Sequence, residues 1–179
     1  MAVKSRIPRL VKPVAAVMAV SEVELDAALV RLEIELGTVD DLGEIYPFDF
    51  SSYYRAEMGD GLLKRFASFE RLRMPDFLAP LKRRTAACER AGRDPGGGRK
   101  VNVDPGYWSD AKLVLASTKN YAHRIWIGRR VFAEVTLKLD RGRLTPLEWT
   151  YPDYKTPAAL EFFSRVRRRY LQQLASSGS

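Results

Sequence analysis

The sequence predicts an α+β fold, a mixed or antiparallel sheet with packed helices. An elaborated ferredoxin-like arrangement is one form compatible with the order of elements. Two observations predict it. Strand-like and helix-like segments follow one another as β-α-β twice, then as a hairpin and a closing helix. The 179 residues are 46% hydrophobic, which is enough for a real core and too apolar for global disorder. The expected division is a flexible basic arm over 1–12, one α+β domain over 13–174 and a disordered tail over 175–179.

Residues 14–20 form a short apolar run between Pro13 and Ser21, as in a buried strand with proline at its edge. Ser21 caps a helix, and Glu24 three residues on completes a capping box. Leu25, Ala28, Leu29, Leu32 and Leu36 make one apolar stripe, and Gly37 ends the helix. Residues 39–50 return as an extended segment in which Tyr46, Phe48 and Phe50 alternate onto one face. Ser51 caps a short helix, SYYRAEM, closed by Gly59, with Tyr53 and Glu57 four apart. Residues 62–72 read as a strand, although neither face is clean. Pro75 and Asp76 open a helix to Ala91. It turns Phe77, Leu78, Leu81 and Ala86 to the core, with Lys82, Arg83, Arg84 and Arg90 as a basic flank. Residues 92–100 form a glycine-rich loop, and Val101 and Val103 a brief strand. Asp104-Pro105-Gly106 reads as a turn. Ser109 then caps a helix through Lys112, Leu113, Leu115 and Ala116, or that short run is extended.

Residues 123–139 form the best hairpin. A three-residue loop, Gly128-Arg129-Arg130, places Ile127 opposite Val131, Ile125 opposite Ala133, Trp126 opposite Phe132 and Arg124 opposite Glu134. A two-residue turn would pair His123 with Glu134 and mix the faces, so the apolar pattern selects the first register. In it Ile125, Ile127, Val131, Ala133, Val135, Leu137 and Leu139 face the core. Arg141-Gly142 turns into a third strand over 143–149. Thr156 and Pro157 open a final helix with Leu160, Phe163, Val166, Tyr170 and Leu171 on its apolar side. Arg165, Arg167, Arg168 and Arg169 lie near its C-terminus, where the macrodipole favours cations.

Several functional classes are excluded. No apolar run approaches the roughly 20 residues that span a bilayer, so no membrane role is expected. The run after the basic N-terminal residues is too short for a signal peptide and is expected to enter a buried strand. Cytoplasmic location is the default. The lone Cys88 permits no intrachain disulfide and reads as a core residue or free thiol. The net charge of +8 favours anionic partners in a generic way. Its basic residues are dispersed, which weakens an RNA-binding reading. The loop DPGGG is no phosphate loop, because GxxxxGK[ST] and GxGxxG are both absent. No HxxxH, HExxH or cysteine pair is present to hold zinc. Two of the carboxylates would suit an oxygen-ligated magnesium ion bridging to a phosphate.

The polar inventory clusters around 104–136. His123 has the reference pKa nearest neutrality and is the candidate general base, with Glu134 as a second proton acceptor. Lys112, Lys119 and Arg124 are candidates to hold an anion. Asp104, Tyr107, Thr136, Asp153, Tyr154, Tyr54 and Glu57 complete the candidate ligand-binding set. The bland alternative for Glu134 is a cross-strand ion pair with Arg124. The expected partner is a small phosphorylated or carboxylated, nucleotide-like ligand. The alternative is a non-enzymatic RNA-binding or complex-assembly protein using the C-terminal arginines. Cofactor and oligomeric state have no signature.

The segments PFDFSSYYRAEMG, FASFERL, VNVDPGYWSDAKLVLASTKNYAHRIWIG, FAEVTL and WTYPDY resemble the bacterial family known as domain of unknown function 4416. The resemblance covers roughly residues 12–174. It implies a small single-domain bacterial protein with no established activity, a label of GTP-binding protein being attached to some members. It also singles out Met58, Gly59, Asn102, Pro105, Gly106, Trp149, Tyr151 and Pro152 beside the residues above, without assigning them roles.

Overall fold

The computed structural model describes residues 8–93 and 95–177. The rest of the expected arm and tail, and Asp94 of the glycine-rich loop, lie outside the described residues. All strands belong to one sheet: β1 (Lys12–Ala19), β2 (Val39–Leu42), β3 (Tyr46–Pro47), β4 (Leu63–Phe69), β5 (Val101–Trp108), β6 (Lys112–Ser117), β7 (Ile125–Trp126), β8 (Phe132–Asp140) and β9 (Arg143–Pro146). The helices are α1 (Glu22–Leu36), α2 (Arg55–Met58), α3 (Leu78–Ala91) and α4 (Pro157–Ser177). The strand order is β2-β4-β1-β5-β6-β8-β7, with β3 on β4 and β9 on β8. Every pairing is antiparallel. The order β2-β4-β1-β5, with α1 and α3 as crossovers, is the split β-α-β arrangement of a ferredoxin-like unit. The β6–β9 hairpins extend it. The fold is α+β.

β1 is buried along its whole length because helices cover both faces of the sheet. Ala15, Val17 and Ala19 meet Leu25, Leu29 and Leu32 of α1 and Leu81 of α3. Val14 and Ala16 face Phe162, Phe163 and Val166 of α4, with Trp108 and Phe66 beside them. Truncating a ring such as Phe66 to alanine would cost about 3–5 kcal/mol. The α1 caps are those the sequence predicts: Ser21 Oγ accepts from Glu24 N at 3.3 Å, and Gly37 closes the helix at φ 90°.

The hairpin register is also as predicted. Ile125 pairs with Ala133 and Trp126 with Phe132, and Ile127 N donates to Val131 O at 2.9 Å. Its facing is not. Ile125 and Ile127 are exposed, whereas Val131 and Leu137 are buried. β7 is at the sheet edge, where its side chains stay open to solvent among the described residues. A bulge between Leu113 and Val114 shifts the β6–β8 register. Glu134 and Thr136 are buried as a result of where β8 sits. Arg141 and Gly142 adopt positive φ in the two-residue turn to β9, as such a turn requires.

Further expectations are corrected or decided between their alternatives. The arm ends earlier, since Val11 is buried and bridged to Arg73 and Lys12 lies fully buried in β1. Lys12 Nζ is satisfied there by Asp40 at 2.6 Å, Phe69 O and Gln173. At the other end, α4 runs to Ser177, into the expected tail, so its arginines are mid-helix and not in the last turn. Arg165 and Arg169 instead reach Asp41 at the sheet edge. Leu171 is exposed, and Ala159 and Phe162 take core positions. Residues 112–117 are strand and not helix, and Ser109 closes the β5–β6 turn by donating from its N–H to Lys112 O. Cys88 is exposed.

The largest correction is Asp104-Pro105-Gly106, which lies inside β5 and makes no turn. The N–H and C=O of Val103 are used by Glu89 and Lys82, so that edge of β5 faces away from β1. Pro105, two residues on, points its missing N–H to the same edge. The ladder to β6 begins only at Gly106. Gly106 has its own reason: a Cβ there would press into Val114 O and lie 2.6 Å from Leu115 Cδ2. Turn-forming residues serve here as an edge without a donor and a close approach.

Candidate functional site

β5 and β6 share only three residue pairs, Gly106–Trp108 with Leu113–Leu115, and part beyond Pro105. A cavity of about 280 Å³ opens where they separate. Side chains of α3 take the place of the missing strand. Glu89 Oε1 accepts from Val103 N at 3.0 Å, and Lys82 Nζ donates to Val103 O at 2.6 Å. The other walls come from β4, β8, the turn before α4 and the 48–54 segment.

Ion pairs form the floor. Lys82 meets Asp104 at 3.1 Å, Lys64 meets Asp153 at 2.6 Å, and Arg124 Nε meets Glu134 Oε2 at 2.6 Å. Arg99 joins Glu89 at 2.7 Å and Glu57 at 3.0 Å. Such charges are tolerated out of water because each is matched and further hydrogen-bonded. Arg124 also donates to Ser117 Oγ, Lys119 O and Tyr151 OH. Burial opposes the charge of Asp104. Lys82 and Lys64, with hydrogen bonds from Lys82 and Asn102, outweigh it and hold the carboxyl below its ordinary range.

Tyr154 is 1% exposed, and its hydroxyl has no hydrogen-bond partner among the described residues. Burial foremost, then the carboxylates of Asp153 and Asp104, push its pKa well up, so it stays a donor. Tyr54 is raised for the same reasons, burial and then Asp104. The Nε of Arg99 is a second buried donor without a partner. At the mouth, Lys119 Nζ sits 3.8 Å from the Tyr53 ring centre. Lys119 is in no ion pair among the described residues.

Seven of the predicted residues line this cavity: Tyr54, Asp104, Lys119, Arg124, Glu134, Asp153 and Tyr154. The others do not. Glu57 stands at the mouth, holding Arg93 and Arg99 instead of approaching Tyr53. Tyr107 points to the α3 face beside Phe77. Lys112 is exposed at the far end of β6. Thr136 is buried behind Glu134, its Oγ1 3.4 Å from Oε1. His123 is also behind Glu134, its Nε2 3.1 Å from Oε2, with its ring stacked on Trp149 at 5.1 Å. Glu134 thus takes both partners that the two hairpin registers had offered as alternatives.

Lys64, Lys82, Glu89 and Arg99 are site residues that sequence reasoning missed, and Asn102, which only the resemblance singled out, lines the cavity with them. A signal existed for two of them. Lys82 lies at helical spacing from Leu78 and Ala86, on the stripe that faces inward, and not on the solvent flank. Lys64 is one of the residues that spoiled both faces of β4. A charge at a core position is expensive unless matched, so it marks a buried partner.

Among the described residues, no three His, Cys, Asp or Glu side chains are placed to hold a metal ion. No described helix is long and apolar enough to cross a membrane. No curated protein and no solved structure matches the chain. A family model described as Domain of unknown function (DUF4416) matches residues 9–170, a span that includes the whole cavity and the whole sheet. The chain belongs to that family.

Proposed function

We propose that this protein binds a small phosphorylated or carboxylated ligand in the cavity between β5 and β6. Lys119 is the observation that carries the reading. Five cationic side chains and four carboxylates line the cavity, and Lys119 is the cation left without a carboxylate among the described residues. The unpartnered donors of Tyr154 and Arg99 point to the same need for acceptor atoms. The volume is near the lower end of the roughly 300–1,000 Å³ usual for small-molecule sites. Glu134 and Asp104 supply acceptors for the polar end of the same molecule.

The test is a melting-temperature screen over nucleotides, sugar phosphates and carboxylates, each with and without magnesium. A ligand at 100 times its Kd adds about 2.7 kcal/mol, which is about 5–10 °C for a chain of this size. Uniformly null shifts would refute the reading.

One contact favours a second reading, turnover. With His123 3.1 Å behind it, Glu134 is the proton acceptor that faces a bound ligand. A probe that is bound by both proteins but converted by wild type and not by Glu134→Gln supports this; equal conversion by both refutes it. The RNA-binding alternative needs one basic face continuous over α3 and α4. Those helices pack on opposite faces of the sheet, and Arg165 and Arg169 are engaged with Asp41.

A further inference from the structure

We infer that the ligand is a hydroxyl-rich molecule with a single anionic group, its hydroxyls on the ion-paired floor and its anion at Lys119. This deepens the binding reading above and rests on it. Four cations at the cavity are each matched by a carboxylate: Lys64 by Asp153, Lys82 by Asp104, Arg99 by Glu89 and Arg124 by Glu134. The floor is therefore neutral overall. A second anionic group placed there would face four carboxylates at close range in a poorly solvated site. Only the mouth, at Lys119, has a cation to give.

The floor also sets donors and acceptors side by side, 2.6–3.1 Å apart. A hydroxyl donates and accepts through one oxygen, so it serves a cation's N–H and the neighbouring carboxylate together. A carbonyl oxygen has only one of these roles, and so does a ring N–H. The buried hydroxyl of Tyr154, in the field of Asp153, Asp104 and Glu134, has no hydrogen-bond partner among the described residues. The Nε of Arg99 has none among them either. Phe48, Tyr53 and Tyr54 line the same cavity and give it an aromatic wall for the C–H bonds of such a molecule.

Titration calorimetry on the full chain tests this with glucuronate, glucose phosphate and ribose phosphate, against glucose, ribose, inorganic phosphate, acetate and adenosine monophosphate. The anionic sugars are expected to bind at least about tenfold more tightly than their neutral parents, the usual worth of one charge-assisted contact. Lys119→Met is expected to erase that difference. Tyr154→Phe, which removes only the unpartnered hydroxyl, is expected to weaken charged and neutral sugars alike, by about tenfold. Melting curves of both variants establish that they are folded. The tighter of glucuronate and glucose phosphate identifies the anionic group. Inorganic phosphate or acetate binding as tightly as the sugar derivatives would overturn the inference and leave the binding reading standing. Binding of the nucleotide alone would do the same. Silence from every probe would overturn both.

Discussion

Arg124→Met probes the arrangement most directly. Arg124 and Glu134 pair at 2.6 Å with both side chains 2% exposed. Removing the guanidinium leaves a buried carboxylate with His123 and Thr136 as its side-chain partners among the described residues, and takes a donor from Ser117 Oγ, Lys119 O and Tyr151 OH. Breaking one partner of a buried pair costs about 3–5 kcal/mol. For a chain of this length, that lowers the melting temperature by about 6–20 °C. The double variant Arg124→Met, Glu134→Leu removes both charges. Apolar replacement of a whole buried pair is often neutral or stabilising, so the double variant should recover most of the loss. Urea unfolding with the slope monitored, together with thermal melts, would measure all three proteins. A single variant within about 1 kcal/mol of wild type would refute the claim that this pair is desolvated and coupled. So would a double variant no more stable than the single. Ligand affinity should fall in both variants, because Arg124 also holds the Lys119 carbonyl at 3.0 Å.

Other substitutions test other layers of the structure. Gly106→Ala drives a Cβ into Val114 O and the Leu115 side chain, and should cost about 3 kcal/mol or more in urea unfolding, beyond ordinary overpacking. Asp104 titrates below its ordinary value because Lys82 and Lys64 outweigh its burial. The unfolded chain therefore takes up its proton first as pH falls, and stability present above about pH 4 is lost on acidification. Asp104→Asn should flatten that acid limb of the urea midpoint. Tyr46, Tyr54, Tyr151 and Tyr154 are all raised, burial being the first cause. The native state then holds phenolic protons that the unfolded state releases above about pH 10, so stability should fall there. Native phenolate absorbance should lag that of the unfolded chain. Lys12 has the opposite sign, since burial lowers its pKa. Its contribution rises with pH up to the ordinary lysine value, and Lys12→Met should remove that rise.

The chain's local physics determined much of this protein. The Ser21 cap, the α1 stripe and the register of Ile125 with Ala133 follow from spacing and side-chain type alone, because each depends on neighbours a few residues away. The pairing of Arg124 with Glu134 follows from that register. The bend of the sheet into a cavity did not follow. Asp104-Pro105-Gly106 has the composition of a turn, and only its antiparallel pairing to Ala16, Ala15 and Val14 of β1 holds it extended. The floor was equally hidden. Lys64 and Asp153 are far apart in the chain, as are Glu89 and Arg99 from Glu57, and each buried charge is explicable only by the partner the topology brings to it. Ile125 and Ile127 carry the same lesson in reverse: alternation fixed which residues share a face, and α3 covers that face at Val131 but leaves it open at the edge strand β7. A period of two is written in the chain, whereas what lies across the face is a property of the fold.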